Sequence, residues 1–299
     1  MAAWLGIDPA GVLDLSASLN PEGPDAGRVV AAASGAVGRY PDAGRASAAL
    51  AEAIGVPADR LVLTNGGAEA IALLAAIEPI GWIEPPEFSL YLRHLAGIHP
   101  SGRRWRSNPS NPLGRLAPPH AEAEVWDEAF WPLATGTWTR GDEGGWRIGS
   151  LTKIWACPGL RLGYVIAPDA ERAAVVRARQ PRWAVNGLAC AAVEPLLAAT
   201  DLRRWAAAVA KRRRTLVAEL QRRRLEVYDT DACWVLVNRP GLRELLAPHA
   251  VVVRDCTSFG LAGTARIAVP DDTGLDRLLG VLDRALSDGE PATTGARWP

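Results

Sequence analysis

The amino-acid sequence predicts an α/β fold: a mainly parallel sheet covered by helices, with a smaller α+β domain beside it. Short apolar runs alternate with helical stretches over the first two thirds of the chain, and short strands followed by a helix close it. With 299 residues, of which 48% are hydrophobic, the chain can bury a large core. We predict a large domain over residues 40–200, a small domain from residues 1–39 and 201–286, and a disordered tail over residues 287–299.

The order of elements follows from apolar runs, which indicate strands, and from helical periodicity between them. In the large domain, strands are predicted at residues 61–64, 81–83, 124–126, 147–149 and 163–166, with helices at 46–53, 68–77 and 89–95. A helical segment with an early turn follows over residues 182–224. In the small domain, strands are predicted at 226–228, 234–238, 251–254 and 264–269, closed by a helix at 275–286.

Composition excludes several classes of function. The 33 basic and 33 acidic residues balance, which argues against nucleic acid or an anionic membrane as the main partner. Arginine clusters between residues 203 and 224 have the spacing of a solvated helix face, which we favour over the alternative of a phosphate-binding stripe. No apolar run reaches the ~18 residues of a membrane span, and no signal-peptide pattern opens the sequence. The four scattered cysteines suggest neither disulfides nor a metal site, so we expect a cytoplasmic protein.

The most informative residue is Lys153, one of two lysines in a chain with 31 arginines. It lies among small and apolar residues, close to Ser150 and Thr152, and Arg161 follows. A lysine amine condenses with the aldehyde of pyridoxal 5′-phosphate (PLP), while hydroxyl and guanidinium groups donate hydrogen bonds to its phosphate. The run therefore predicts a PLP site in which Lys153 is the covalent link.

Asp127 ends a short apolar run, which would place its carboxylate at the C-terminal end of a parallel strand. Open α/β sheets bind ligands at that edge. A carboxylate there keeps the pyridinium nitrogen of PLP protonated, so that the ring accepts electrons. The ordinary alternative for an acidic residue after a strand is a helix N-cap.

Three further motifs fit the same cofactor, although each has an ordinary structural alternative. Gly66, Gly67 and Ala68 form a strand-to-helix turn whose amides can approach a phosphate, and such turns also occur without a ligand. Phe88 offers an aromatic face for the pyridine ring, or is part of the core. Asn111, in a proline-constrained turn, can aim its amide at the phenolic oxygen of the cofactor.

With these motifs in this order, residues 13–286 resemble the fold-type-I PLP enzymes of the class I/II aminotransferase superfamily. The resemblance implies an aspartate-aminotransferase-like fold and a homodimer that acts on an amino-acid substrate. It implies catalytic roles for Lys153 and Asp127, and a tyrosine, Tyr40, that reaches the cofactor phosphate of the neighbouring subunit. The cofactor-binding residues that it implies are Tyr40, Gly66, Gly67, Ala68, Phe88, Asn111, Asp127, Ser150, Thr152, Lys153 and Arg161, and it implies no metal.

Within the superfamily, the ends of the chain are most similar to threonine-phosphate decarboxylase of cobalamin biosynthesis, a relative of histidinol-phosphate aminotransferase. Residues 13–21 resemble the entry segment of that family, which assigns Asn20 to substrate binding. Arg254 and Arg266 resemble its C-terminal arginine pair, which suits an acidic and possibly phosphorylated substrate, although Arg254 alone could simply end an apolar strand. Phe130 stands where many aminotransferases have tyrosine. A decarboxylase of this type is therefore the predicted function, with an aminotransferase of the histidinol-phosphate type as the alternative.

Departures from the family pattern leave the substrate open. The chain lacks a His-Gly-Gly segment near its start, and Ser18 replaces an asparagine. About 20 residues separate Phe88 from Asn108, and 13 positions separate Gly114 from Asp127, both fewer than in the family. Parallel strands usually need crossovers of a dozen or more residues, so a strand or helix of the large domain is expected to be missing. A second alternative is therefore a non-catalytic protein on a degenerate PLP fold.

Overall fold

The computed structural model of the chain describes residues 6, 8–141 and 144–287. By their contacts the described residues form a smaller unit, with residues 6, 8–18, 211–230 and 234–287, and a larger unit, with residues 19–141, 144–210 and 231–233. These units differ from the predicted domains, since residues 19–39 and 201–210 group with the larger unit; the domain boundaries stay a prediction. Of the tail expected at 287–299, Ser287 ends the last helix, and residues 288–299 lie outside the described residues.

The strands follow one another along the chain as the apolar runs predict, with additional short ones. They are β1 Leu13–Asp14, β2 Leu61–Asn65, β3 Ile80–Trp82, β4 Gly97–Ile98, β5 Arg103–Ser107, β6 Val125–Asp127, β7 Trp146–Gly149, β8 Leu162–Ile166, β9 Glu226–Tyr228, β10 Trp234–Asn238, β11 Val251–Val252, β12 Arg254–Asp255 and β13 Thr264–Ala268. The single strand predicted at 251–254 is two strands, because β11 pairs with β1 whereas β12 pairs with β13.

The helices occupy the intervals between the strands. They are α1 Ala26–Ala32, α2 Gly44–Ile54, α3 Gly66–Ile77, α4 Ser89–His94, α5 Trp131–Thr135, α6 Leu151–Ile154, α7 Ala170–Arg179, α8 Gly187–Ala198, α9 Leu202–Arg222, α10 Leu242–Leu246 and α11 Asp272–Ser287. The predicted segment 182–224 is thus two helices, α8 and α9. Among the residues that the structure describes, no helix has the length and apolar character to span a membrane.

The larger unit contains a seven-stranded sheet with the order β2-β8-β7-β6-β5-β3-β4. The strands from β7 to β4 run parallel, and β8 is antiparallel to both of its neighbours, β2 and β7. The predicted mainly parallel sheet is therefore confirmed. Because β2 and β7 run in the same direction, the carboxyl ends of β2, β5, β6 and β7 lie at one edge, together with the start of β8. Apolar residues of α3, β5, β6 and β7 pack into one core, among them Leu74, Trp105, Val125 and Ile148.

Two connections in the part of the chain that the sequence analysis found short, residues 99–102 and 108–124, contain no helix. β4 and β5 flank β3, and only residues 99–102 join them. This connection crosses the backbone of β3 closely, since a Cβ on Gly102 would lie 2.6 Å from the carbonyl oxygen of Ile80. Glycine therefore permits a crossing without a helix. Between β5 and β6, residues 108–124 also contain no helix.

The smaller unit has a four-stranded antiparallel sheet, β12-β13-β10-β9, and a parallel pair, β1-β11. Residues of β10, β13, α9 and α11 form its core, among them Leu220, Val235, Ile267 and Leu278. Each large apolar side chain buried in this way contributes ~1.5–3 kcal/mol to the free energy of folding.

Arg213 of α9 and Arg223, which directly follows this helix, pair with acidic side chains of the smaller unit. Arg213 Nε lies 2.9 Å from Asp229 Oδ1, and Arg223 Nε lies 2.7 Å from Asp283 Oδ1. These ion pairs are consistent with the charged outer face of an amphipathic helix. They also occupy guanidinium groups that a phosphate-binding stripe would need for its ligand. The alternative of such a stripe is not supported.

Candidate active site

The predicted cofactor residues of the larger unit follow strands that end at the same edge of its sheet. Asn65 ends β2, Ser107 ends β5, Asp127 ends β6 and Gly149 ends β7, and Arg161 directly precedes β8. The chain topology alone therefore gathers residues from five segments that are far apart in the sequence. Ligands of open α/β sheets bind at this edge.

Asp127 is buried, with 7% of its surface exposed. Its Oδ2 accepts a hydrogen bond from the Tyr91 hydroxyl at 2.8 Å, and its Oδ1 accepts the Ala129 N–H at 3.0 Å. Burial raises the pKa of Asp127, while these two hydrogen bonds and the positive charge of Lys153 lower it. Both carboxylate oxygens are thus held by neighbours, as a group that must keep one orientation requires.

Lys153 lies in the short helix α6, directly after β7. Its Nζ is 5.6 Å from the centre of the Phe130 ring, and its charge acts on Asp127. Asn20, predicted to bind substrate, donates from Nδ2 to the carbonyl oxygen of Ile154 at 2.8 Å, and its N–H donates to the Lys153 carbonyl oxygen at 3.1 Å. Asn20 therefore braces the turn that carries the lysine; its substrate role stays a prediction.

The predicted phosphate donors form two contacting pairs. Ser150 Oγ and Thr152 Oγ1 are 2.8 Å apart, and both residues are buried. The guanidinium of Arg161 lies against Gly66, where a Cβ would be 2.4 Å from its Nη2. Gly66 also has a φ of 78°, a left-handed backbone conformation that favours glycine.

The amino end of α3 supplies further donors at the same place. The amides of Gly66, Gly67 and Ala68 belong to the first turn of this helix, where N–H groups have no partner within the helix. Glu69 Oε2 accepts the Asn65 N–H at 2.7 Å and so closes the turn from the strand into the helix. Helix amino ends with glycines of this kind bind phosphate groups.

Phe88 and Asn111 lie on connections that leave the sheet at this edge. Phe88 precedes α4, packs against the core, and meets the Tyr91 ring edge to face at a centroid distance of 5.8 Å. Asn111 is buried, and its backbone N–H donates to Ser107 Oγ at 2.8 Å. Both predicted residues are thus held by side chains that the sequence analysis did not identify.

Tyr40 differs from the other predicted cofactor residues because 76% of its surface is exposed. Its ring stacks on Trp183, itself 54% exposed, with centroids 4.4 Å apart. Two stacked aromatic rings on the surface are typical of a contact with another protein surface.

The two predicted substrate arginines belong to the smaller unit and occupy opposite positions on β12 and β13. Arg266 is buried, donates to the Ser16 carbonyl oxygen at 3.1 Å, and lies 5.0 Å from the centre of the Trp234 ring. Arg254 is half-buried and donates to Ser258 Oγ at 3.1 Å. These contacts hold both guanidinium groups in defined places.

Sequence reasoning missed Tyr91, Ser107 and Glu87. Tyr91 stands three residues after Phe88, the spacing that puts two helical side chains on one face, so this signal was present. Glu87 was visible beside Phe88, but nothing in the local sequence indicates that it contacts Ser107, 20 positions away.

The donor set fits PLP. A phosphate would meet the Ser150 and Thr152 hydroxyls, the Arg161 guanidinium and the helix amides beside Gly66, at a place where a larger residue would clash with Arg161. A buried carboxyl, Asp127, and an amine, Lys153, complete the set that a phosphorylated aldehyde on a pyridine ring requires. The fold and the site thus define the class of fold-type-I PLP enzymes.

Comparison with known proteins gives the family. The family described as aminotransferase class I and II matches residues 105–282, more than half of the chain. The chain therefore belongs to this family of PLP-dependent enzymes.

Two curated relatives match nearly the whole chain. Threonine-phosphate decarboxylase of Salmonella typhimurium is 30% identical, covering 97% of this chain and 96% of the relative. Histidinol-phosphate aminotransferase 1 of Dechloromonas aromatica is 26% identical, covering 96% and 93%. The first alignment runs over 348 positions, more than the 299 residues of this chain, so the relative has residues at positions where this chain has gaps.

Among solved structures, histidinol-phosphate aminotransferase of Sinorhizobium meliloti, in complex with pyridoxal-5′-phosphate, superposes with a TM-score of 0.82. The match covers 96% of this chain and 93% of that one at 17% identity. At this identity the likeness shows the fold, which is the aspartate-aminotransferase-like fold that the resemblance implied.

Proposed function

We propose that the protein is a PLP-dependent decarboxylase of the threonine-phosphate type, acting on a phosphorylated amino acid in cobalamin biosynthesis. The observation that carries this proposal is the 30% identity to threonine-phosphate decarboxylase over almost the full length of both chains. Phe130 beside Lys153 supports it, because the ring adds no hydroxyl at the place where many aminotransferases have tyrosine.

When bound, PLP supplies an aldehyde that condenses with amines and a pyridinium ring that accepts the electrons of a bond broken at the substrate α-carbon. Lys153 is the amine that would hold the cofactor, and its Nζ would also move protons during the reaction. Asp127, oriented by Tyr91 and Ala129, would keep a proton on the ring nitrogen. Phe88 would pack on the ring and Asn111 would donate to its phenolic oxygen.

The second candidate function is transamination of the histidinol-phosphate type. The relative with this activity is 26% identical over almost the whole chain, and both reactions use the same cofactor residues. The difference would lie in how the residues of the chain hold the substrate carboxylate. We assign that task to Arg266, assisted by Arg254 and Asn20. The non-catalytic alternative is not supported, because the chain belongs to a family of PLP-dependent enzymes and two relatives that match nearly its whole length are named as enzymes.

A product assay separates the two reactions. The purified protein, loaded with PLP, is incubated with threonine phosphate and, separately, with histidinol phosphate plus 2-oxoglutarate. Release of carbon dioxide in the first mixture supports the decarboxylase, and formation of glutamate in the second supports the aminotransferase. If the protein binds PLP covalently but gives neither product, the substrate assignment is wrong and the cofactor assignment stands. A Lys153→Ala sample controls for reactions of free PLP.

We further propose a homodimer in the cytoplasm, with Tyr40 of one subunit reaching the cofactor phosphate of the other. The exposed Tyr40–Trp183 stack supports the dimer, and the free cysteines, such as Cys190, support a reducing compartment. Sedimentation of the active enzyme tests the assembly, since a fully active monomer would contradict it.

A further inference from the structure

The connection between β3 and α4 contains a carboxyl group, that of Glu87, to which the proposed function gives no role. Its Oε1 accepts the backbone N–H of Ser107 at 2.9 Å, and its Oε2 accepts the Ser107 hydroxyl in a short hydrogen bond. One partly buried carboxylate therefore holds both the backbone and the side chain of Ser107. Glu87 directly precedes Phe88, so it lies within the predicted cofactor site.

The need for this acceptor follows from the sheet. Successive N–H groups of a strand point to opposite sides, and beyond Ser107 the N–H of Asn108 donates to the Asp127 carbonyl oxygen on β6 at 2.8 Å. The N–H of Ser107 points the other way, toward β3, which has already ended at Trp82. Glu87 supplies the acceptor that β3 does not, as a buried N–H requires.

The contact continues from Ser107 to Asn111. The Ser107 hydroxyl, which donates to Glu87, accepts the backbone N–H of Asn111 at 2.8 Å. A serine hydroxyl has one donor and two acceptor positions, so an ionised Glu87 fixes the direction in which the hydroxyl points and leaves its lone pairs for Asn111. Three residues thus form one directional relay, Glu87–Ser107–Asn111.

We infer that Glu87 is a positioning residue of the cofactor site. Through Ser107 it holds the backbone of Asn111, and it so keeps the side-chain amide of Asn111 directed at the phenolic oxygen of PLP. The role of Asn111 rests on the proposed function, whereas the relay is a property of the chain alone. The two can therefore be tested separately.

The groups around Glu87 make its charge sensitive to pH. Burial raises the pKa of Glu87 to about 7, the negative charge of Asp127 adds to this, and hydrogen bonds from Ser107 and Phe88 oppose it. Tyr91, on α4, donates its hydroxyl to Asp127 and not to a carboxylate oxygen of Glu87. Near neutral pH the Glu87 carboxyl thus changes between its ionised form, which accepts a hydrogen bond from the Ser107 hydroxyl, and its protonated form.

The relay is tested first in cofactor-free protein, by measuring hydrogen exchange of the backbone N–H of Asn111. Glu87→Ala should speed this exchange about tenfold, the factor expected for one hydrogen bond, and the isosteric Glu87→Gln should give a smaller increase. In a Ser107→Ala background, Glu87→Ala should add little, because its effect passes through Ser107. Glu84→Gln is the matched control: Glu84 is exposed, lies on the same connection and pairs with Arg104.

The second readout is the visible absorbance of the lysine-bound cofactor as a function of pH. A donor to the phenolic oxygen stabilises its ionised form, so Glu87→Ala should raise the pKa of the absorbance change by up to about one unit, and Glu84→Gln should not change it. Unchanged Asn111 exchange in folded Glu87→Ala and Glu87→Gln would overturn the relay. Faster exchange with an unchanged absorbance titration would overturn the role in the cofactor site. If the protein did not bind PLP, the proposed function would fail, and the exchange data would still decide the relay.

Discussion

The carboxyl edge of the larger sheet and the arginine pair of the smaller sheet arrange charge in different ways. At the edge, Asp127 accepts hydrogen bonds from the neutral donors Tyr91 and Ala129 and feels the opposite charge of Lys153. In the smaller sheet, Arg254 and Arg266 stand directly opposite each other on β12 and β13. Like charges in such a cross-strand pair destabilise a sheet, by ~0.2–1 kcal/mol, unless an anion neutralises them.

The difference indicates how the chain divides its tasks. The edge of the larger sheet combines charges of both signs, which fits the proposed cofactor site, whereas the arginine pair places two positive charges opposite each other, which fits the proposed site for an acidic substrate. Substitutions at the edge should therefore change cofactor chemistry, and substitutions in the pair should change substrate affinity.

Lys153→Ala should abolish the visible absorbance of bound PLP, because the covalent link requires this amine. Borohydride reduction followed by peptide mapping should place the cofactor on Lys153 in the parent protein. Lys211→Ala is the matched control, since Lys211 is the chain's other lysine and is exposed on α9. A normal spectrum in the Lys153 variant would contradict the assignment.

Asp127→Ala should retain some cofactor and lower turnover by about a hundred- to ten-thousand-fold, since an unpaired ring nitrogen loses its proton and no longer accepts electrons. Steady-state kinetics and the absorbance spectrum measure the two effects independently. Turnover at the parent level would refute the role of Asp127. It would also refute the expectation that substitutions at the edge of the larger sheet change cofactor chemistry.

Arg266→Lys should raise KM by about ten- to a hundredfold with a smaller change in kcat, because lysine keeps the charge but loses bidentate contact to a carboxylate. Arg254→Lys should have a weaker effect, since Arg254 is less buried. The control is Arg243→Lys in the same unit, where Arg243 makes an exposed ion pair with Glu244. An Arg266 variant that changes the absorbance spectrum and not KM would break the proposed division.

Glu87→Gln should change how the stability of cofactor-free protein depends on pH. The pKa of Glu87 is raised from 4.5 to about 7, so the folded chain binds more protons than the unfolded chain between these values. The contribution of Glu87 to the free energy of unfolding is therefore most favourable below its pKa in the unfolded chain. This contribution is lost as pH rises through about 7, by roughly 1–3 kcal/mol. Urea unfolding measured from about pH 5 to about pH 8 should show that the free energy of unfolding declines less steeply with pH in Glu87→Gln than in the parent protein. Glu84→Gln should keep the parent slope.

Tyr40→Phe should weaken PLP retention by about tenfold and leave the folded chain intact, because it removes one hydrogen bond to a charged phosphate. Equilibrium dialysis gives the dissociation constant, and thermal unfolding checks the fold. Trp183→Ala, which removes the stacking partner, should weaken dimerisation more than it weakens cofactor binding within the dimer. Unchanged retention in Tyr40→Phe would remove the residue from the proposed site.

Much of the fold and of the candidate site could be predicted from the sequence, because the signals are local. An apolar run before Asp127 and another before the segment containing Lys153 indicate two strands, and parallel strands bring their carboxyl ends to one edge. The order of motifs identified the family, which the match over residues 105–282 confirms. The roles of the individual residues stay predictions.

Other features were decided by the tertiary structure, because they depend on residues that are distant in sequence. The sequence did not show that β4 and β5 flank β3 with only residues 99–102 between them, where Gly102 passes close to the backbone of Ile80. The apolar run at 251–254 gave no sign that it divides between two sheets. Which strands pair depends on the relative stability of pairings between segments that are distant in sequence, and a local sequence pattern does not contain that information.

The sequence by itself therefore determined which chemical groups this protein has and at which strand ends they stand. Only the tertiary structure decided which neighbours hold them: Tyr91 on Asp127, and Glu87 on Ser107. The physical reason is that periodicity and turn residues report the conformation of the local backbone. A hydrogen bond between side chains 36 or 20 positions apart forms only after packing has brought their strands and helices together.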